Sequence, residues 1–138
     1  MKRTDLAYVA GIVDGEGCIT IGADHRKRNP DRPCWRLRVC VANTNEWLMH
    51  YLKFAFGGGI SVKQSGGRTR PCYEWTLHRG KAADFLVLIL PYLKLKKPQA
   101  ELAIKFQQGI SKSTRRLTAE QFAVRDAQRI LLQELKRV

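Results

Sequence analysis

Acidic residues are scarce in this 138-residue chain: 12 Asp and Glu stand against 25 Lys and Arg, leaving a net charge of +13. An excess that large on a small domain points to a polyanionic partner, with DNA, RNA, a ribosomal neighbour and an anionic membrane all open at this level. Long apolar runs are also missing. The longest, Phe85 to Leu90, stops at Pro91 and falls far short of the ~20 residues of a membrane span. The N-terminus has no apolar core followed by a small-residue cleavage site, so no signal peptide is expected and a cytoplasmic or organellar location is. Cysteine is sparse and badly spaced for metal. Cys18, Cys34, Cys40 and Cys72 form no C-x-x-C pair and keep no zinc-like spacing to His25, His50 or His78. Reduced thiols are the default expectation.

What remains is an ordinary globular composition, 44% hydrophobic, enough to build one core of single-domain size. The periodicity predicts a helix over 4–13, capped by Thr4, with Leu6, Val9, Ala10 and Val13 on one face. Alternating strands follow at 18–23 and 34–42, with Leu37, Val39 and Val41 inward and Arg36, Arg38 and Cys40 outward. A second helix carries Trp47, Leu48, Tyr51, Leu52 and Phe54 and stops at the glycines 57–59. A second hairpin spans 60–64 and 72–77, with Ile60, Val62, Trp75 and Leu77 toward the core. Helices are expected at 81–90, from Pro98 onward, and after Thr118, whose pairing with Gln121 reads as a capping box. The last helix should bury Phe122, Ala123, Ala127, Ile130, Leu131 and Leu135. The aromatics Trp47, Phe54, Trp75, Phe85 and Phe106 read as core. The fold class is α+β, an αββαββα order with a basic antiparallel sheet covered by helices on one face.

The informative segment is Val9-Ala10-Gly11-Ile12-Val13-Asp14-Gly15-Glu16-Gly17. Gly11 lies inside a helix, where glycine costs roughly 1 kcal/mol relative to alanine. Ala10 and Gly11 make a shallow surface that lets another backbone approach. The helix then ends in Asp14 and Glu16, although a helix C-terminus disfavours carboxylates. A bound cation would reverse that preference. A close helix seam with a metal at its foot is one reading; a solvated acidic helix end is the other.

The nine residues resemble the LAGLIDADG signature of homing endonucleases, with Glu16 in place of the second Asp. The segment Pro91-Tyr92-Leu93-Lys94-Leu95-Lys96-Lys97-Pro98-Gln99 is similar to that family's P-x-L-x-x-K-x-x-Q stretch, and Val41-Ala42-Asn43-Thr44-Asn45 also resembles it. The resemblance extends to at least Ala103.

It implies a single-motif, homodimeric, site-specific DNA endonuclease dependent on Mg2+, for which Mn2+ could substitute. Glu16 would bind the metal, with the Gly15 carbonyl as a further ligand. Asp14 would brace the motif end. Lys96 would sit near the scissile phosphate, with Lys94 as the second candidate, and Asn43 would order water. One carboxylate per chain cannot fill a Mg2+ shell of about six oxygens, so two chains would meet through Val9, Ala10, Gly11 and Val13. On the sheet, alternation selects Thr20, Gly22, Asp24, Arg26, Arg36, Arg38, Cys40, Ser61, Lys63, Arg70, Glu74 and Thr76 as the DNA face. Arg36 and Arg38 are the candidates for guanine, and Lys27, Arg28 and Arg68 for phosphate. A solvated charge is the competing reading for each. Lys112, Arg115 and Arg116 form a further basic cluster. The family also includes RNA-binding intron maturases, which adds intron RNA as a partner, and a cleavage-inactive DNA-binding regulator is the other alternative.

Overall fold

The structure, a computed structural model, describes residues 1–23, 34–63, 70–111 and 118–137. The elements run α1 (Arg3–Glu16), β1 (Gly17–Ala23), β2 (Trp35–Asn43), α2 (Glu46–Phe56), β3 (Gly59–Lys63), β4 (Cys72–His78) and α3 (Arg79–Ile89). A 3-10 turn (Leu90–Tyr92), α4 (Lys97–Ser111) and α5 (Ala119–Lys136) complete the chain. This is the α+β order expected of the sequence. The two hairpins join through their inner strands into one antiparallel sheet, ordered β1-β2-β4-β3.

Alternation divides the sheet cleanly. Ile19, Ile21, Leu37, Val39, Val41, Trp75 and Leu77 are buried beneath the helices. Trp75 and Phe85 meet edge to face at 5.2 Å, and Phe56 closes on Phe85 at 4.7 Å. The Trp75 indole N–H donates to the Gly57 carbonyl at 2.7 Å, so the largest core side chain buries no unpaired donor. That turn needs glycine: Gly58 has φ +91°, and a Cβ there would lie 2.5 Å from the Thr76 carbonyl. No described helix is long and apolar enough to cross a membrane.

Three core expectations fail, each for a reason of helix phase or sheet position. Trp47 is 65% exposed and Phe54 95%, because α2 turns Leu48, Met49 and Leu52 onto the sheet instead. Val62 is on the core-facing side of β3, yet it is exposed because β3 is an edge strand. On α5, Leu132 is the buried residue; Ala123, Ala127, Ile130 and Leu131 are exposed, and Phe122 and Leu135 half-buried. That helix approaches the β1–β2 hairpin partly through charge, the Arg129 guanidinium lying 4.3 Å over the ring of Trp35 at the start of β2. Its capping box forms as expected, with Gln121 N–H donating to Thr118 Oγ1 at 3.2 Å and Thr118 N–H to Gln121 Oε1 at 3.0 Å. The first helix is capped two residues earlier than expected, by Lys2 and not Thr4, the Lys2 N–H donating to Asp5 at 3.1 Å, and it runs on to Glu16.

Candidate active site and nucleic-acid interface

The acidic end of α1 is built as a knot. Asp14 Oδ2 accepts from Lys94 N–H at 2.8 Å and Oδ1 from Lys96 N–H at 3.0 Å. The Lys96 Nζ in turn donates to the Asp14 carbonyl at 2.7 Å. The carboxylate is thus consumed in holding the 94–96 segment against the helix. The lysine places positive charge where the helix C-terminus is negative, which offsets the electrostatic cost of the acids. Gly17 closes the motif by close approach: a Cβ there would lie 2.7 Å from the Val13 carbonyl.

Glu16 projects differently. It is exposed, and its Oε2 accepts from the Asn43 amide at 2.6 Å. Asn43 is itself fixed, its Oδ1 accepting from Asn45 N–H at 2.8 Å as β2 gives way to α2. Glu16 Oε1 has no protein partner among the described residues. Glu16 and Asn43 are thus joined at the foot of α1 and line one cleft, while Lys96, held on Asp14, lines another with the exposed Lys94, which contributes its backbone to the clamp. A hard cation takes oxygen ligands, and the oriented Glu16 carboxylate with the neighbouring Gly15 carbonyl fits part of such a shell. Among the described residues no cluster of three or more His, Cys, Asp or Glu could hold a metal within one chain.

Two clefts flank this point. One, of about 660 Å³, runs between α1 and α2 and is lined by Ala7, Tyr8, Gly11, Gly15, Glu16, Asn43 and Trp47 among others. The other, of about 670 Å³, is lined by Asp14, Cys18, Lys94, Lys96, Gln99 and Lys136. Sequence reasoning missed Lys136. It stands at the last turn of α5, 118 residues from Cys18, and its Nζ lies 3.7 Å from the Cys18 sulfur. Nothing local in the sequence signals that contact. Cys18 and Cys40 are direct cross-strand partners. A hydrogen bond from Cys40 holds the Cys18 thiol down to about 5, with Thr20 and Lys136 adding to the effect. The same bond, together with burial, pushes the Cys40 thiol up.

The sheet face away from the helices carries Thr20, Gly22, Arg36, Arg38, Cys40, Ser61, Lys63, Glu74 and Thr76 together, since each of these faces its cross-strand partner on one side. Arg70 is exposed just before β4. Asp24, Arg26, Lys27, Arg28 and Arg68, with Lys112, Arg115 and Arg116, lie outside the described residues.

Compared by sequence, the chain matches no family model and no curated protein. Compared by structure, it matches solved homing endonucleases over nearly its whole length. The archaeal intron-encoded I-Vdi141I, complexed with DNA, gives a TM-score of 0.77 at 16% identity, covering 96% of this chain and 84% of that one. I-CvuI, in complex with its target in the presence of Ca, gives 0.69 at 21% identity over 98% and 96%. The LAGLIDADG homing endonuclease I-GzeII, in complex with a DNA target, gives 0.63 at 20% identity over 93% of this chain and 43% of that one. The fold is that of the LAGLIDADG homing endonucleases.

In this LAGLIDADG fold the nine-residue motif occupies the second half of α1 and the first residue of β1. Three of the four residues assigned from sequence to a chain–chain seam are corrected by their burial. Val9, Ala10 and Val13 are 0% exposed within the chain's own core and present no surface to a partner. Gly11 alone of the four is exposed. The free face of the LAGLIDADG helix is instead Ala7, Gly11 and Gly15, spaced four residues apart and flanked by Tyr8 and Ile12. A Cβ at Gly11 or Gly15 would meet nothing within 4 Å, so neither glycine is demanded by packing inside one chain.

Proposed function

We propose that the chain is a divalent-metal-dependent, site-specific DNA endonuclease acting as a homodimer in intron homing, on a long pseudo-palindromic target. The observation that carries this reading is the exposed Glu16, oriented by Asn43, on a helix end whose Asp14, two residues away, locks Lys96, at the edge of an open sheet carrying Arg36, Arg38 and Lys63. The DNA complexes among the structural neighbours support the same partner. Two copies meeting along Ala7, Gly11 and Gly15 would bring two Glu16 carboxylates together.

Glu16 and the Gly15 carbonyl would hold Mg2+ or Mn2+ jointly with the second copy and with DNA phosphate oxygens. The bound cation supplies Lewis acidity and a more acidic water. Within the chain, the Asn43 amide fixes the Glu16 carboxylate. The Asp14 clamp fixes the 94–96 segment, so the Lys96 ammonium faces the reacting phosphate in a constant position. Water attacks phosphorus, the bond to the leaving alkoxide breaks, and a phosphomonoester and a hydroxyl end result on each strand. Lys96 offsets the negative charge that builds on the phosphoryl oxygens.

The test is incubation with DNA spanning the uninterrupted host gene, with and without Mg2+, using the wild-type chain and Glu16→Gln. A Mg2+-dependent double-strand break is expected from wild type. The Gln variant should bind that DNA but not cut it. Undiminished cutting by Glu16→Gln would remove Glu16 from the metal site, and no cleavage by wild type at any metal concentration would end the endonuclease reading.

A further inference from the structure

Glu74 stands on the open face of the sheet yet is 8% exposed, the most deeply buried acid among the described residues. Both its oxygens are occupied. Oε1 accepts from Arg38 Nη2, and Oε2 accepts from Lys63 Nζ at 3.1 Å. The three residues come from β2, β4 and β3, so one carboxylate ties three adjacent strands. The register shows how Arg38 reaches it. Arg38 pairs with His78, and Glu74 pairs with Ala42; the Cys40–Thr76 row lies between. The guanidinium therefore runs along the sheet over that row, which explains why Cys40 is only 7% exposed on a face that no helix covers.

A glutamate that reads cytosine must offer an outward oxygen. Glu74 has little to offer outward, since each oxygen already accepts from a cation and the side chain is 10% exposed. Arg38 has more: its side chain is 34% exposed, and a guanidinium carries five N–H donors in a rigid fork, of which Glu74 takes one, on Nη2. An arginine free on a sheet surface samples many rotamers and loses that freedom on binding. An arginine anchored through Nη2 presents its remaining donors over a narrower range of directions.

We propose that Glu74 is a positioning residue for sequence readout, holding Arg38 and Lys63 as one unit across β2, β4 and β3 and thereby setting base preference at the position Arg38 meets. This rests on the reading that the open sheet face meets DNA. Glu74 touches no base; it acts through Arg38.

The experiment is a binding-site selection run in parallel on wild type, Arg38→Ala, Glu74→Gln and the double variant, with thermal melting of each. Arg38→Ala should flatten the preference at one base pair in each half-site by about tenfold or more. Glu74→Gln should flatten the same pair, with binding to unrelated DNA unchanged or tighter, because each chain loses a negative charge. In the double variant the second change should add less than about twofold, as expected for residues acting as one unit. Glu74→Asp keeps the charge and shortens the reach. It should flatten the same pair in part, and it serves if the Gln variant fails to fold. Three results would overturn the proposal: a Glu74 variant with the wild-type profile, one that flattens a different pair from Arg38→Ala, or one that switches the preferred base. A wild-type chain with no base preference anywhere would overturn the DNA reading and this inference with it; a wild-type preference untouched in Glu74→Gln would overturn this inference alone.

Discussion

Asp14 and Glu16 are two residues apart on one helix end and do different work, and their partners separate the roles. Asp14 has both oxygens turned onto backbone N–H groups of the 94–96 segment, so it is a brace. Asp14→Asn would set an amide N–H2 against one of those donors. Leaving such a group unsatisfied costs about 1–3 kcal/mol, and urea denaturation should show a loss of that order. Cleavage should fall alongside, because Lys96 loses its fixed backbone. An Asn variant as stable and as active as wild type would show the clamp to be incidental. Asn43 holds Glu16 through the 2.6 Å hydrogen bond from its amide, while its oxygen accepts from Asn45 N–H at the start of α2. Asn43→Ala should lower the single-turnover cleavage rate by about 10- to 100-fold, the range seen when the partner of a metal ligand is removed. Binding of uncut DNA should stay within twofold. Equal losses in binding and rate would instead make Asn43 a DNA contact.

At the scale of the element, α1 carries the proposed seam between chains and marks how far the sequence could be read. The helix, its acidic end and the pairing of both hairpins were legible, because a period of 3.6 or 2 survives single-residue ambiguity. The facing of α1 was legible only in part. Small residues lie on both its sides: Ala10 is fully buried under the sheet, while Ala7, Gly11 and Gly15 look outward. Composition alone cannot separate a small residue packed inward from one left open for a neighbour. Aromatic content misled on α2, where Trp47 and Tyr51 stack at 5.4 Å on the outer side while Leu48, Met49 and Leu52 do the burying. On α5, an arginine on a tryptophan took the place of an expected aliphatic contact. Contacts between distant segments, such as Asn43 to Glu16 or Lys136 to Cys18, have no local signal at all. The exposed glycines make a sharp prediction. A side chain at Gly11 meets nothing inside the chain, and replacing a helical glycine raises intrinsic helix stability by up to about 1 kcal/mol. Gly11→Leu should therefore fold as well as wild type and yet be monomeric by analytical ultracentrifugation, with cleavage lost. A Leu variant that remains dimeric would remove the helix seam. A wild-type chain that is monomeric and active would remove the dimer.

For the molecule as a whole, helices cover one side of the sheet and leave the other open, and cations collect on and around the open side. Arg36, Arg38 and Lys63 lie on the sheet, and Lys94, Lys96 and Lys136 line the cleft at the β1 end. A net charge of +13 by itself would make any DNA attractive, and such attraction weakens steeply with salt. Position distinguishes the two kinds of cation. Lys136 comes from the end of α5 and reaches Cys18 on the outermost strand, β1, and on the proposed reading it meets a backbone phosphate at that edge of the sheet. Each phosphate contact contributes about 0.9 to the slope of log affinity against log salt, so removing one from each of two chains should reduce that slope by about two. Lys136→Ala should do this while weakening binding to every sequence by a similar factor, with base preferences unchanged. Arg38→Ala should do the reverse, losing preference at one pair with a smaller change in slope. Fluorescence anisotropy titrations at four or five salt concentrations, on a preferred and a scrambled duplex, separate the two patterns. If Lys136→Ala leaves the slope unaltered, the α5 terminus lies off the DNA path, and the 670 Å³ cleft is not where the backbone runs.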